Sequence, residues 1–456
     1  MPPFMPPATP SHCVAIVGGA VAGAELAATL AERGVEVVVF EQNPRPYGKI
    51  EDGLPRWHVA LRRKEYETIG RNLDRSGVRF VPLTRIGRDV GFRELVEDWG
   101  FTGVVMASGA WRDRPLPVEG ADAYESKGLI YQNPFIIWFN HANEKDYTGP
   151  RFQPEDDVVV VGGGLASIDV VKVLMLETTR AKLHERGIEV DMVELEVKGI
   201  PKILAGHDLR FEDLGLRGCT LFYRRRAEDM PLVEVPEDAT PEREAKTRKA
   251  RERLLAKAME KYLFHFEPLC MPDGLLVEEG ALAGLRFRRT RMEKGRPVPT
   301  DETFERRGTY VISSIGSIPE PIPGIPMRGE LFEFVDWDLG RLEAYPTVFA
   351  TGNVATGKGN IVASRKHARH VGEIMIEAFL GLGEEGHSGE EALAEAAAAA
   401  AREEAARVAE RLAVQPRIRP EALEAIRARV AERQRTVGYP GDYATWIQRV
   451  TPPDLE

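Results

Sequence analysis

The chain has 456 residues, of which 43% are hydrophobic and 29% charged, with a net charge of −10. That length allows two or three domains and a sizeable core, and the acidic balance argues against wholesale nucleic-acid binding. Its three cysteines, Cys13, Cys219 and Cys270, lie far apart, which excludes a C-x-x-C pair, a clustered iron–sulfur site and a disulfide framework and predicts a reducing, cytoplasmic setting.

In chain order, the proline-rich stretch 1–13 comes first. It has neither the basic nor the apolar region of a signal peptide and reads as an extended lead-in. No run of about 18 apolar residues follows anywhere, so no membrane span is expected. Residues 13–42, CVAIVGGAVAGAELAATLAERGVEVVVFEQ, read strand, glycine turn, helix, strand. Val14–Val17 is an apolar run of the kind found in buried parallel strands, Ala24–Arg33 is rich in helix formers, and Gly34 suits the position after a helix end. The sequence from Gly100 to Ala110 predicts another buried strand ending in a turn of small residues. The strand–glycine–helix pattern returns over Asp157–Glu177. A charged helix is predicted over Ala239–Lys261 and antiparallel strands over Leu285–Thr303. Gly308–Pro319 and Tyr345–Asn360 read as strand-then-turn segments, and Ile361–Gly381 as a helix. After Gly381 the composition shifts to an Ala/Glu/Arg helix and a second helix from Pro420, whose Leu423, Ile426 and Val430 form one apolar stripe. This last region predicts a helical appendage that packs on the body or on a partner subunit.

Two turns carry the chemistry. Gly18, Ala20 and Gly23 fit a G-x-A-x-x-G variant of the dinucleotide fingerprint, in which glycines permit the tight turn and the close helix–strand approach. The following helix N-terminus offers free N–H groups to a pyrophosphate. Ala20 departs from the usual second glycine. Glu41 ends the second strand, 23 positions past Gly18, where an acid accepts hydrogen bonds from a ribose. Gly162, Gly164 and Ser167 form a second fingerprint with serine at its third position. Two such motifs predict two bound dinucleotides, and a flavin with a nicotinamide is the pair that makes a hydride relay. Arg224, Arg225 and Arg226 follow the strand CTLFY. Guanidinium groups there suit the 2′-phosphate of NADPH, although they lie 62 positions past Gly162. A segment looping out over roughly residues 177–216 must make up that distance.

From about Val14 to Gly381 the chain resembles the adrenodoxin reductase-like ferredoxin–NADP reductases, with the flavin–NADPH module of the glutamate synthase small subunit as a relative. The resemblance is carried by RPYGKIEDGLPRWH (45–58), ASGAWRDRPLPVEG (107–120), IIWFNH (136–141), GGGLASIDVV (162–171), YRRRAEDMP (223–231) and GRLEAYPTVFATGNVATGKGNIVASRKHA (340–368). It implies an α/β fold of two Rossmann-like domains, the NADP domain (141–325) inserted in a discontinuous FAD domain (12–140 and 326–383), with 384–456 as the C-terminal helical appendage. FAD would be held through Gly18, Ala20, Gly23, Glu41, Ser108, Gly352, Asn353, Gly359 and Ile361. NADPH would be held through Gly162, Gly164, Ser167 and the three arginines. His58 falls on the family's active-site histidine, with Glu228 and Glu234 as candidate partners. Asn353 and the lack of a cysteine-rich iron–sulfur domain are departures.

The resemblance implies hydride transfer from NADPH to FAD and onward electron transfer to a ferredoxin-like or other acceptor protein. An acidic chain needs a local basic patch to dock an acidic partner, and Arg286–Arg291 and Ser364–His370 are the candidates. The appendage motivates a second reading, an electron-input subunit of a larger complex. Ala20 and Asn353 leave room for a third, a nucleotide-binding redox sensor without turnover.

Overall fold

The computed structural model describes residues 10–233, 235, 239–337, 340–356, 376–377, 379–382 and 390–452, with only the backbone at 390–393. The chain begins with β1 (Cys13–Val17), α1 (Val21–Glu32), β2 (Glu36–Phe40), α2 (Val59–Leu73), β3 (Val78–Val81) and β4 (Gly103–Met106). Next come β5 (Leu129–Tyr131), α3 (Gln132–His141), β6 (Val159–Gly162), α4 (Leu165–His184), β7 (Thr220–Phe222), α5 (Pro241–Tyr262) and β8 (His265–Glu267). Then β9 (Cys270–Glu278), β10 (Ala281–Glu293), β11 (Arg296–Arg307), β12 (Val311–Ser314) and β13 (Val348–Ala350) precede α6 (Glu390–Ala413), α7 (Pro420–Thr436) and α8 (Tyr443–Val450).

Two parallel sheets dominate. The first has the order β13-β4-β1-β2-β3 and the second β5-β12-β6-β7-β8. β1 and β2 are buried along their whole length, as expected of strands covered on both faces. In each sheet the fingerprint strand, β1 or β6, has a neighbour on either side, so its glycine turn opens at the carboxyl edge where α/β sheets bind ligands. Both predicted strand–glycine–helix units are present. So are the charged helix (α5) and the antiparallel strands, a three-stranded sheet β9-β10-β11.

The long gap before the arginines is filled by the end of α4, the helices Met192–Lys198 and Ile200–Ala205, and a short 3-10 turn at Phe211–Leu214. β7 nevertheless pairs directly with β6, Val161 opposite Phe222. The insertion is a detour in sequence and leaves the arginines beside the second glycine turn.

The connections between the two sheets meet in a short antiparallel ribbon, Arg112–Asp113 with Ser317–Ile318. Asn133, at the start of α3, joins it by donating from its side chain to Trp111 O (2.8 Å) and Ser317 Oγ (3.1 Å). Lys172 and Glu196 form an ion pair at 2.7 Å with no exposed side-chain surface. Lys172 also donates to Leu380 O (3.1 Å), and Tyr262 Oη to Glu196 Oε1 (2.8 Å). A buried charge pair is worth little as net stability but is costly to break, so this cluster fixes where residues 379–382 attach. Ile376, Phe379 and Leu380 pack into the core of the second sheet, although the sequence assigns them to the first domain.

The C-terminal helices lie on the first unit. Leu423, Ile426 and Val430 enter its core with Phe92, Leu95 and Trp99. Arg427 binds Glu36 at 2.6 Å, Gln434 Nε2 donates to Phe80 O at 2.7 Å, and Trp446 Nε1 donates to Pro44 O at 2.8 Å. The apolar stripe read from the sequence is therefore used inside the chain.

Candidate functional site

The first glycine turn is shaped by backbone contacts that leave no room for side chains. Gly18 has φ +105°, and a Cβ on it would stand 2.5 Å from Ala107 O; one on Gly23 would stand 1.9 Å from Gly18 O. Both roles are those of the fingerprint. Ala20, the departure, is the extended N-cap of α1. Its methyl is accommodated because residue 48 is glycine: a Cβ there would lie 2.9 Å from Ala20 Cβ. The missing glycine of the motif is thus compensated across space.

A cavity of about 460 Å³ opens over this turn. Gly18, Ala20, Glu41, Ser108, Gly352 and Asn353, all singled out from the sequence, line it. Gly23 lies behind the turn and supports it. Glu41 is buried and accepts hydrogen bonds from Gly19 N and Asn43 N, both at 2.9 Å. A carboxylate has about four acceptor sites, so these bonds leave capacity for a sugar hydroxyl. Burial pushes its carboxyl up to about 7, against the opposing pull of those N–H groups. Gly359 and Ile361 fall outside the described residues, as do Glu234 and the basic stretch Ser364–His370.

Two contributors were not foreseen. Lys49, also in the cavity lining, donates to Ser317 Oγ (3.0 Å) and Asn133 Oδ1 (3.2 Å), next to the ribbon between the sheets. Burial pushes its ammonium down to about 8, with Asp113 pulling the other way. The stretch GKIED gives no sign that its lysine points inward. Helix α6 supplies the second contribution, a wall that includes Ala396, Ala400 and Glu404.

At the second turn, a Cβ on Gly162 would stand 2.5 Å from Ser167 Cβ and 2.6 Å from Ser314 O, whereas one on Gly164 would meet nothing within 4 Å. There is open space in front of α4, where a phosphate would be received. Ser167 is fully buried, and its Oγ donates to Gly164 O at 2.6 Å. The serine replacing the third glycine is therefore satisfied within the turn itself. Beside it, the three arginines differ. Arg226 is held by Glu228 (2.5 Å) and Asp229 (2.9 Å). Arg224 and Arg225 form no ion pair among the described residues, and Arg224 is exposed.

His58 does not line the cavity. It is fully buried at the N-cap of α2, its ring stacked on Phe379 with centroids 4.6 Å apart. Glu228, one candidate partner, is occupied by Arg226. The basic stretch Arg286–Arg291 lies on β10 with its charges answered: Arg286 and Arg288 by Asp273, Arg289 by Glu267, Arg291 by Glu293. All three cysteines are buried and unpaired, and burial raises each thiol's pKa, so none has the character of a reactive thiolate. Among the described residues there is no cluster of metal-ligand side chains, and no helix is long and apolar enough to cross a membrane.

Residues 14–198 match the family model of the pyridine nucleotide-disulphide oxidoreductases. The mitochondrial NADPH:adrenodoxin oxidoreductase of Arabidopsis thaliana is 24% identical over 78% of this chain and 79% of its own length. The glutamate synthase [NADPH] small chain of Bacillus subtilis is 31% identical, over 41% of this chain and 36% of its own. In fold, the chain matches the structure of Mycobacterium tuberculosis FprA in complex with NADPH, with a TM-score of 0.61 at 18% identity, over 94% of this chain and 91% of that one. The chain is an oxidoreductase that resembles the adrenodoxin reductase-like reductases. The two-unit α/β fold with C-terminal helices agrees with that resemblance, and the two cradles fit FAD and NADPH as its cofactors. The chain covers four-fifths of the plant protein but little more than a third of the bacterial one.

Proposed function

We propose that the protein is an FAD-dependent NADPH oxidoreductase that takes hydride from NADPH and passes electrons to an acceptor protein, of which an iron–sulfur protein is the favoured class. FAD occupies the cavity at the first turn, in a domain formed by 12–140 and 326–383. NADPH binds at the second turn, in the domain 141–325, and 384–456 is the helical appendage. The pairing of two glycine turns at the edges of two parallel sheets, one beside a buried carboxylate and the other beside guanidiniums of which Arg224 and Arg225 form no ion pair among the described residues, carries this reading.

When bound, the flavin supplies the change from two-electron to one-electron transfer. The chain's own residues do the rest. The N–H groups at the start of α1 receive a pyrophosphate, Glu41 accepts from a ribose, and Lys49 holds a positive charge on the cavity wall. Arg224 and Arg225 contact a 2′-phosphate in this reading, and Arg226 buttresses the turn through Glu228 and Asp229. We leave His58 outside the cofactor contacts because its ring is buried on Phe379. A reducing, cytoplasmic setting is part of the proposal, supported by three buried, unpaired thiols. An electron-input subunit of a larger complex is the alternative; the apolar stripe of the appendage is covered within the chain and offers such a complex no docking face.

The purified protein is expected to be yellow and to bleach anaerobically with NADPH much faster than with NADH. A colourless protein that cannot be reconstituted with flavin removes the proposal; equal rates with both nucleotides remove the part given to the arginines.

A further inference from the structure

The cavity at the first turn has a wall that neither the fingerprint nor the sheet provides. Helix α6 lies along α1 and presents Ala396, Ala397, Ala400, Ala401 and Glu404 to it, a spacing that puts all five on one helical face. Alanine is the strongest helix former with almost no side chain, so the wall stands close to the cavity without filling it. Among the described residues, Glu404 is the one polar side chain that α6 contributes to the lining. Its Oε2 accepts hydrogen bonds from Thr351 Oγ1 (2.8 Å) and Gly352 N (3.0 Å), while Oε1 makes none among the described residues.

Thr351 and Gly352 directly follow β13, and Glu41 directly follows β2. In the first sheet these strands flank β4 and β1, which puts them about 14 Å apart at ordinary strand spacing. The start of α1, whose first N–H groups have no acceptor within the helix, lies between. The cavity thus has carboxylate acceptors towards both ends and backbone N–H donors in the middle. A flavin dinucleotide has the complementary order: sugar hydroxyls at one end, a pyrophosphate in the centre, and the hydroxyls of the ribityl chain at the other. Glu41 stands where the fingerprint acid meets the adenosine ribose, which leaves the polyol half to the Glu404 end.

We propose that Glu404, supplied by the C-terminal appendage, is a cofactor-binding residue whose carboxylate accepts hydrogen bonds from the ribityl hydroxyls of the flavin. This rests on the reading of the first cradle as the FAD site. The bonds from Thr351 and Gly352 hold the carboxylate in place, so one oxygen is oriented by the protein and the other faces the ligand.

The test is titration of the full-length, flavin-stripped protein with FAD, and separately with ADP, in wild type, Glu404→Ala and Glu404→Gln. Glu404→Ala is expected to weaken FAD binding about tenfold or more, the scale of a hydrogen bond to a charged acceptor, and to leave ADP binding unchanged. Glu404→Gln, which keeps an acceptor but not the charge, is expected to fall between alanine and wild type. Equal loss of FAD and ADP affinity overturns the proposal, because it marks a collapsed wall. Unchanged FAD binding overturns it too, and tighter binding does so by making Glu404 a plug. Wild-type protein that binds ADP but no FAD overturns the reading of the cradle itself and this inference with it.

Discussion

Tyr223 lies with its ring directly over Gly163: a Cβ on that glycine would stand 2.1 Å from the ring's Cε2. The ring is pinned from its far end, where Tyr223 Oη donates to Asp229 O at 3.0 Å. A methyl group at residue 163 must therefore displace the Tyr223 ring or the turn beneath it. Gly163→Ala is expected to raise the KM for NADPH at least tenfold while leaving flavin content unchanged, with a stability loss of about 1–3 kcal/mol typical of overpacking. Steady-state kinetics and an absorption spectrum check both halves.

The three arginines separate into two kinds, and the separation is testable. Arg224→Ala and Arg225→Ala are expected to reduce kcat/KM with NADPH by about tenfold to a hundredfold, as loss of a charge-assisted phosphate contact does, with little change for NADH. Arg226→Ala, whose guanidinium is already engaged by two acids, is expected to affect both nucleotides alike. A larger NADPH-specific effect from Arg226 than from its neighbours would reverse the assignment.

Glu65 sets a pH dependence. It is buried on α2, and burial, reinforced by the like charge of Glu25, pushes its carboxyl up to about 7 from an ordinary 4.5. Between these values the folded state binds more protons than the unfolded state, so this group's contribution to stability falls as pH rises from 4.5 to 7. Glu65→Gln removes the cost of charging a buried carboxyl. It is expected to stabilise the protein at pH 8 by about 2 kcal/mol, given roughly 1.4 kcal/mol per pKa unit and some relaxation, and the gain is expected to vanish below pH 5. Urea denaturation at the two pH values measures it; a gain that grows on acidification contradicts the assignment.

Trp446 tests whether the appendage and the first unit unfold together. Its ring is buried beside Tyr439, and its Nε1 donates to Pro44 O. Trp446→Ala is expected to cost about 3–5 kcal/mol and to lower the transition of the flavin-binding unit, followed by flavin release on heating. Unfolding of the helices alone, with flavin retained, would separate the two.

The glycine turns were legible because backbone geometry demands glycine there, and that demand survives as a motif. The parallel strands were legible because burial on both faces writes continuous apolar runs. Through-space compensation leaves no such trace. Gly48 makes room for Ala20 from 28 positions away, and nothing in either local sequence announces the pairing. Glu404 sits in an Ala/Glu/Arg helix where one carboxylate looks like the next, and Lys49 sits among ordinary charged residues. The arginine cluster was visible, but which guanidiniums are engaged depends on Glu228 and Asp229 folding back on Arg226. His58 was placed by resemblance alone, and the stacking on Phe379, more than 300 positions later, could not be read from either segment.

The wall formed by α6 also has a temporal meaning. Protein synthesis runs from the amino end, so both sheets and both glycine turns leave the ribosome before residue 390 does. The cavity lacks the wall of Ala396, Ala400 and Glu404 until α6 emerges and settles along α1. Completion of the binding pocket thus waits on α6, after every strand of both sheets has been made.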